Sequence, residues 1–127
     1  MTDANGFNFR DWDIYKDARE LRIGIVECAK GLPVDEKYAL VDQIKRAMDS
    51  VILNIAEGSN KNTDKDKKLY MNRAQCSLDE VVACLDCSLD SGYIDASDHA
   101  QKLNTAGNLA KKLKGFTVYL AKSDYKR

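Results

Sequence analysis

Apolar residues recur every three or four positions in four separate stretches of the chain, and no stretch shows the two-residue alternation of a strand. The clearest stretch covers residues 36–59. Its apolar stripe consists of Leu40, Val41, Ile44, Ala47, Met48, Val51, Ile52 and Ile55. Such a stripe predicts an amphipathic helix that packs its apolar side against other helices. The whole pattern predicts helices over about residues 9–29, 35–57, 64–91 and 96–121.

Turn-forming residues separate these predicted helices. The breaks are expected at Gly31, which we place in a left-handed conformation before Pro33, at Gly58 and at Gly92. The candidate N-caps are Asp35, Thr63 with Asp66, and Asp95 or Ser97. Short connections between long helices favour antiparallel neighbours. The predicted fold is therefore all-α: one domain over residues 1–127, folded as an up-down-up-down four-helix bundle.

A line of polar residues runs beside the apolar stripe of the second predicted helix. This polar line consists of Gln43, Arg46, Ser50, Asn54 and Glu57. A helix face that needed only to be soluble would carry Lys and Glu, so amides, a hydroxyl and an Arg beside the apolar edge indicate a contact surface. We expect either a structural polar network or contacts between subunits, and Glu57 and Glu80 are the candidate partners of Arg46 or Arg73.

The same stretch resembles the signature of the small bacterial proteins named after the intervening sequences of 23S ribosomal RNA genes. The matching elements are Pro33-x-x-Glu36-x-Tyr38-x-Leu40, Gln43-x-x-Arg46-Ala47-x-x-Ser50 and Asn54-Ile55-Ala56-Glu57-Gly58. The similarity continues in Arg10-Asp11-Trp12, in Ser77-Leu78-Asp79-Glu80 and in Gly92-Tyr93-Ile94. It covers most of the chain.

This resemblance implies a four-helix bundle that assembles into a ring, typically a pentamer, without a defined enzymatic activity. Some related proteins are accessory subunits of the reverse transcriptases of diversity-generating retroelements, and they bind nucleic acid and the polymerase through a basic surface. Others are encoded within ribosomal RNA intervening sequences, and the present chain is more similar to those. The implied partners are further copies of the chain, RNA or DNA, and a reverse transcriptase.

The charges add a pattern that the net charge conceals. Twenty basic and twenty acidic residues balance to zero. In the predicted topology, residues 1–19, 50–73 and 108–127 meet at one end and carry fourteen basic and eight acidic residues, whereas the opposite end carries six and twelve. The lysines that we assign to a nucleic-acid-binding surface at this basic end are Lys61, Lys65, Lys67, Lys68, Lys111, Lys112 and Lys114. Such clusters attract phosphate backbones.

The alternative is an ordinary solvated surface. The helix dipole favours lysines near the C-terminus of the fourth helix but disfavours them around the start of the third. It therefore explains only part of the pattern.

Other side chains with reactive chemistry have structural explanations. We interpret Cys84-x-x-Cys87 as buried thiols, because no second pair of ligands completes a zinc site. His99, the only histidine, is expected at the surface or an interface. Trp12, Tyr15, Tyr70 and Tyr93 are expected in the core or an interface, the alternative being a stacking surface for bases. No catalytic motif, metal site or cofactor site is predicted.

The sequence thus favours a non-enzymatic, homo-oligomeric bundle that binds nucleic acid through its basic end. The alternative is a scaffold for protein–protein interaction without nucleic-acid binding. No apolar run reaches the length of a membrane span, and the first residues lack the features of a signal peptide, so we expect a cytoplasmic protein.

Overall fold

Four α-helices account for most of the computed structural model, which describes residues 4–126, with side chains over 4–122. They are α1, Asp13–Lys30; α2, Leu40–Ser59; α3, Asp64–Asp90; and α4, Ala96–Lys126. Two short 3₁₀ turns, Asn8–Asp11 and Val34–Glu36, precede α1 and α2. No strand occurs in residues 4–126. The predicted all-α, four-helix fold is confirmed.

Each helix packs against two others, in the cyclic order α1, α2, α3, α4. The contacts between α1 and α4 run in opposite residue order, since Trp12 meets Phe116 and Asp17 meets Lys112. The same holds for α2 and α3, where Gly58 lies against Tyr70 and Ser50 against Ser77. The neighbouring helices are therefore antiparallel.

The core is built from one stripe on each helix, with the three- and four-residue spacing that the sequence predicts. Its fully enclosed large side chains include Leu21, Ile25, Met48, Val51, Ile55, Met71, Leu78, Val81, Leu85, Leu109 and Leu113. Burial of one such side chain stabilises the folded state by roughly 1.5–3 kcal/mol. This shared core holds the helix ends, and the side chains that they carry, in fixed relative positions.

Side-chain caps fix two helix starts. The Thr63 hydroxyl accepts a hydrogen bond from the Asp66 backbone N–H at 3.1 Å, and the Asp95 carboxylate accepts one from the Asp98 N–H at 2.7 Å. The end of α3 is closed by Gly92 at φ +75°, with Gly92 N–H donating to Leu89 O and Tyr93 N–H to Ser88 O. This paired arrangement requires the left-handed residue that the sequence predicts there.

Other helix boundaries differ from the prediction. Gly31 adopts a right-handed conformation with φ −83°, so α1 ends without the left-handed turn. Asp35 does not cap α2, because Val34–Glu36 forms a 3₁₀ turn and the helix begins only at Leu40. Gly58 is the penultimate residue of α2, so the break that the sequence predicts near Gly58 is confirmed, whereas α4 continues beyond its predicted end to Lys126.

The first predicted helix is also interrupted. Trp12 has an extended backbone, with ψ 134°, between the first 3₁₀ turn and α1. Its indole ring packs edge-on against Phe116, with ring centroids 5.4 Å apart. The residues before Trp12 therefore leave the helix axis.

No helix in the described part of the chain combines the length and the apolar character that crossing a membrane requires.

Candidate nucleic-acid interface

The antiparallel order brings three segments to one end of the bundle: the 3₁₀ turn before α1, the α2–α3 connection and the last turns of α4. Four lysines surround the α2–α3 connection. Lys61 follows α2, and Lys65, Lys67 and Lys68 lie in the first turns of α3. Thr63 caps α3 between them, and Asp64 and Asp66 provide the acidic first turn that a helix dipole favours.

Lys61 is held in place by an aromatic ring. Its ammonium nitrogen lies 4.6 Å from the ring centroid of Tyr70, and the guanidinium of Arg73 lies 4.7 Å from the same centroid. Cations attract the face of an aromatic ring at such distances. Two positive charges are therefore concentrated around Tyr70, next to the turn that carries the other lysines.

A cleft of about 720 Å³ opens beside Lys61. One wall is the N-terminal segment, and the other is the last turn of α2 with the connection to α3. Its lining residues are Gly6, Phe7, Asn8, Phe9, Trp12, Ala56, Glu57, Ser59, Asn60, Lys61 and Lys67. Aromatic rings, amides and two lysines thus face one space, which we call the N-terminal cleft.

Two of the rings that line this cleft, Phe7 and Phe9, make edge-to-face contacts that continue to Tyr15 outside it. The Phe7 and Phe9 centroids are 6.4 Å apart, and those of Phe9 and Tyr15 are 4.9 Å apart. Phe9, Trp12 and Tyr15 are half-buried, whereas 57% of Phe7 remains exposed. Phe7 is therefore the most accessible ring of the wall.

The lysines of α4 form a second group at the same end, and one of them, Lys112, contacts α1. Lys112 donates a hydrogen bond to Asp17 of α1 at 2.6 Å, and this hydrogen bond raises the pKa of Lys112 above its ordinary value. Lys111 and Lys114 are exposed. Lys112 therefore joins two helices and has its charge largely balanced by Asp17, so that, among the residues that the structure describes, Lys111 and Lys114 are the members of the predicted triplet without an ion pair.

The sequence profile of the family described as 23S rRNA-intervening sequence protein matches residues 10–115. The chain belongs to this family. The match includes α1, α2, α3 and most of α4, and it includes Lys61, Lys67 and Trp12 of the N-terminal cleft. It leaves Phe7 and Phe9 outside.

A solved structure has a similar fold. It is a protein of unknown function from the S23 ribosomal protein family of Bacteroides thetaiotaomicron VPI-5482, with a TM-score of 0.75 and 23% sequence identity. The similarity covers 82% of the present chain and 97% of the other. At this identity it concerns the fold alone. A comparison with curated proteins gave no significant match.

The polar line of this intervening-sequence protein divides into two parts. Ser50, Asn54 and Ser77 form a half-buried cluster in which the two serine hydroxyls are 2.8 Å apart and the Asn54 amide donates to Ser50 Oγ at 3.1 Å. This cluster links α2 to α3. Gln43, Arg46 and Glu57 are instead exposed.

Arg46 pairs with a residue of its own helix. Its Nε lies 3.0 Å from Asp42 Oδ2, one turn away, and 80% of the Arg46 side chain is exposed. Asp42, and not Glu57 or Glu80, is therefore the partner within the chain. Arg46 also lines a shallow groove of about 470 Å³ with Asp49, Ser50, Leu53, Asn54 and Glu57.

The four aromatic residues singled out in the sequence do not form one surface. Trp12, Tyr15 and Tyr70 lie at the basic end, whereas Tyr93 follows α3 at the opposite end. There its hydroxyl donates to Glu36 at 2.9 Å. His99 is nearby in α4 and forms a 2.8 Å hydrogen bond with Asp86 of α3. At the acidic end, these contacts join the α3–α4 connection to the turn before α2, and α4 to α3.

The cysteines are free thiols in different surroundings. Cys84 is buried and Cys28 is half-buried, and burial raises the pKa of both thiols. Cys76 and Cys87 are exposed. The prediction that both cysteines of Cys84-x-x-Cys87 are buried is therefore wrong for Cys87. The described residues contain no group of metal-binding side chains.

Sequence reasoning missed the N-terminal cleft. The signal was the spacing Phe7-x-Phe9-x-x-Trp12, three large rings ahead of the first helix. Their arrangement depends on how the N-terminal segment lies against the end of α2, a contact between residues about fifty positions apart.

Proposed function

We propose that this protein is a non-enzymatic, cytoplasmic homo-oligomer, a pentameric ring as the family resemblance implies, that binds nucleic acid through its basic end. The observation that carries the proposal is the group of cations beside the N-terminal cleft. Lys61, Lys65, Lys67 and Lys68 cluster around a helix start, where the helix dipole alone would select against them. A phosphate backbone compensates such a cluster.

The proposed ring would increase the effect of this end. If the subunits are aligned in parallel, every basic end lies on one face, and the acidic ends lie on the other. Each subunit would then add its own phosphate contacts to a continuous surface. The physiological setting that fits is a ribosomal RNA or reverse-transcriptase context, in which RNA or DNA strands are available.

The test is a titration of labelled RNA and DNA at low and near-physiological salt. Affinity should fall with a log–log slope of roughly −0.9 per phosphate neutralised on duplex DNA, and about −0.7 on single strands. Replacing Lys65, Lys67 and Lys68 with Gln should flatten this slope. Replacing Lys111 and Lys114 should also flatten it, whereas Lys112→Gln alone should change it little, because Asp17 already balances that charge.

A matched control lies at the acidic end. Replacing Lys30, Lys37 and Lys45 with Gln removes the same charge from the other end and should leave the slope unchanged. Binding that survives the loss of both basic-end groups would place the site elsewhere. Absence of binding at either salt concentration would contradict nucleic-acid binding altogether.

The second candidate function is a protein-interaction scaffold. It is favoured by two neighbouring exposed apolar side chains at the acidic end, Val34 and Tyr38, of which Tyr38 is 87% exposed. Large exposed apolar side chains close together are typical of protein-binding surfaces. If nucleic acid fails to bind, this surface is the first to test by substitution of both residues with Ser in a binding assay with candidate partners.

A further inference from the structure

We infer that the N-terminal cleft receives one unstacked nucleobase of a single strand, with the adjoining phosphate held by Lys61 and Lys67. This inference rests on the proposed nucleic-acid binding and assigns it a specific site and strand type. The carrying observation is the combination, in one cleft, of accessible aromatic rings with two cations.

The size and lining of the cleft fit a nucleotide. Its volume of about 720 Å³ lies within the range of small-molecule sites. The aromatic wall offers a stacking surface to any base, since every base has a π-face. The two lysines exceed the one carboxylate, Glu57, so the cleft retains a positive charge for a phosphate.

The polar side chains of the cleft contact different parts of the nucleotide in this arrangement. The amides of Asn8 and Asn60 can donate to or accept from the edge of a base, and Glu57 can accept from a ring or amino N–H. Lys61 is oriented in advance, because its ammonium group already rests against Tyr70 at 4.6 Å. Little side-chain freedom is therefore lost when this lysine meets a phosphate.

A duplex would fit this cleft poorly. Bases in a duplex are stacked on each other and paired, so their faces are not available to Phe7, whereas a single strand can present one base at a small energetic loss. Binding should consequently depend on both the bases and the phosphates of a single strand.

Trp12 makes the cleft directly observable. It is the only tryptophan in the chain and it lines the cleft. We expect an eight-nucleotide single strand to change the Trp12 fluorescence in a saturable manner. The matched duplex and an abasic eight-mer, which has the same phosphates and no bases, should bind more weakly and leave the emission nearly unchanged.

Two substitutions separate stacking from charge. Phe7→Ala should weaken single-strand binding by roughly 5- to 150-fold, the range expected for stacking on one ring, without altering the salt slope. Lys61→Gln should instead reduce the slope by about 0.7. Tyr38→Ala, which removes an exposed ring from the acidic end, is the control and should affect neither. Circular dichroism of each variant verifies that the bundle remains folded.

The outcomes distinguish this inference from the broader proposal. Equal binding of the abasic and normal strands, with unchanged Trp12 emission, would overturn the base-binding cleft while leaving phosphate binding intact. If adenosine monophosphate alone saturates the Trp12 signal and the strand binds no better, the cleft holds free nucleotides and its assignment to a strand is wrong. If no nucleic acid binds, both proposals fail together.

Discussion

Gly58 determines how closely two helices approach. A Cβ atom at this position would lie 2.6 Å from Tyr70 Cβ and 2.7 Å from Met71 Cε. The Met71 methyl group can move away, but the Tyr70 Cβ is attached directly to the backbone. Any larger residue therefore pushes α2 and α3 apart, next to the connection that carries Lys61.

Substitution of Gly58 by Ala should accordingly lower the free energy of unfolding by about 1–3 kcal/mol, as overpacking in a core does. The matched control is Gly115→Ala in α4, where no atom lies within 4 Å of the added methyl group. That change should raise the free energy of unfolding by roughly 0.5–1 kcal/mol, because Ala is the better helix former. Urea denaturation measures the free energy of unfolding of both variants. An unchanged value for Gly58→Ala would contradict the packing argument.

The four thiols should separate by reactivity. Thiolate is the reactive form, and burial raises the pKa of Cys28 and Cys84, so both should react slowly with a thiol reagent at neutral pH. Cys76 and Cys87 are exposed and should react fast. Mass spectrometry after timed labelling measures the order. In urea all four should react alike, and fast labelling of Cys84 in the folded protein would contradict its burial.

The raised thiol pKa values also affect stability. As the pH rises, Cys28 and Cys84 ionise in the unfolded chain before they ionise in the folded one. The ionisation of these thiols therefore leaves the free energy of unfolding unchanged below about pH 8.5. Above this pH it lowers the free energy of unfolding increasingly.

At the level of elements, helix ends were predictable where their signals are local. Thr63 caps α3 through a residue three positions away, Asp95 caps α4 in the same manner, and Gly92 closes α3 through its own left-handed backbone. Each signal is contained within about five residues. The periodicity of the core stripes is equally local, so the four helices followed from the sequence.

Two of the boundaries that were wrong depend on distant contacts. The turn before α2 includes Glu36, which accepts a hydrogen bond from Tyr93, 57 positions later. The break before α1 is at Trp12, which packs on Phe116 of the last helix. The N-terminal cleft arises in the same way. The sequence was sufficient to predict which lysines lie at the basic end. The N-terminal cleft beside them could be found only in the folded chain.

The contact between Tyr93 and Glu36 predicts a pH effect. This hydrogen bond is the main cause that raises the pKa of Tyr93. Because the protonated hydroxyl is the donor, its stabilisation is fully present below the ordinary tyrosine pKa of about 10 and is lost as the pH rises through the higher folded value. Tyr93→Phe should therefore be less stable than the parent at pH 8 and lose this disadvantage well above pH 10, where the carboxylates of Glu36 and Asp35 also repel the Tyr93 phenolate. Denaturation at both pH values measures the difference, and an unchanged gap would exclude this origin.

At the scale of the whole molecule, the topology gives a chain of zero net charge one basic end and one acidic end. Lysines from residues 61–68 and 111–114 are far apart in sequence, yet antiparallel packing places both groups at one end. Neither segment, taken alone, contains a pattern that indicates that the two groups lie at the same end. Leu53 is a contrasting case, because it is 65% exposed among polar groups of the α2 groove that all belong to its own helix and lie at helical spacing.

This groove is the surface that we expect to join subunits. An exposed leucine surrounded by Arg46, Ser50, Asn54 and Glu57 offers the apolar centre and polar surroundings of a subunit interface. Light scattering at micromolar concentration should give a multiple of the 14.2 kDa chain mass, five times that mass for the proposed pentamer. Leu53→Asp should shift the mass to that of the monomer, because a carboxylate would be desolvated at the centre of the contact. Ile23→Asp, at a side chain of α1 that is 71% exposed, is the control and should leave the assembly intact. Dissociation by the α1 change alone would move the interface to α1, and a monomeric parent protein would refute the assembly itself.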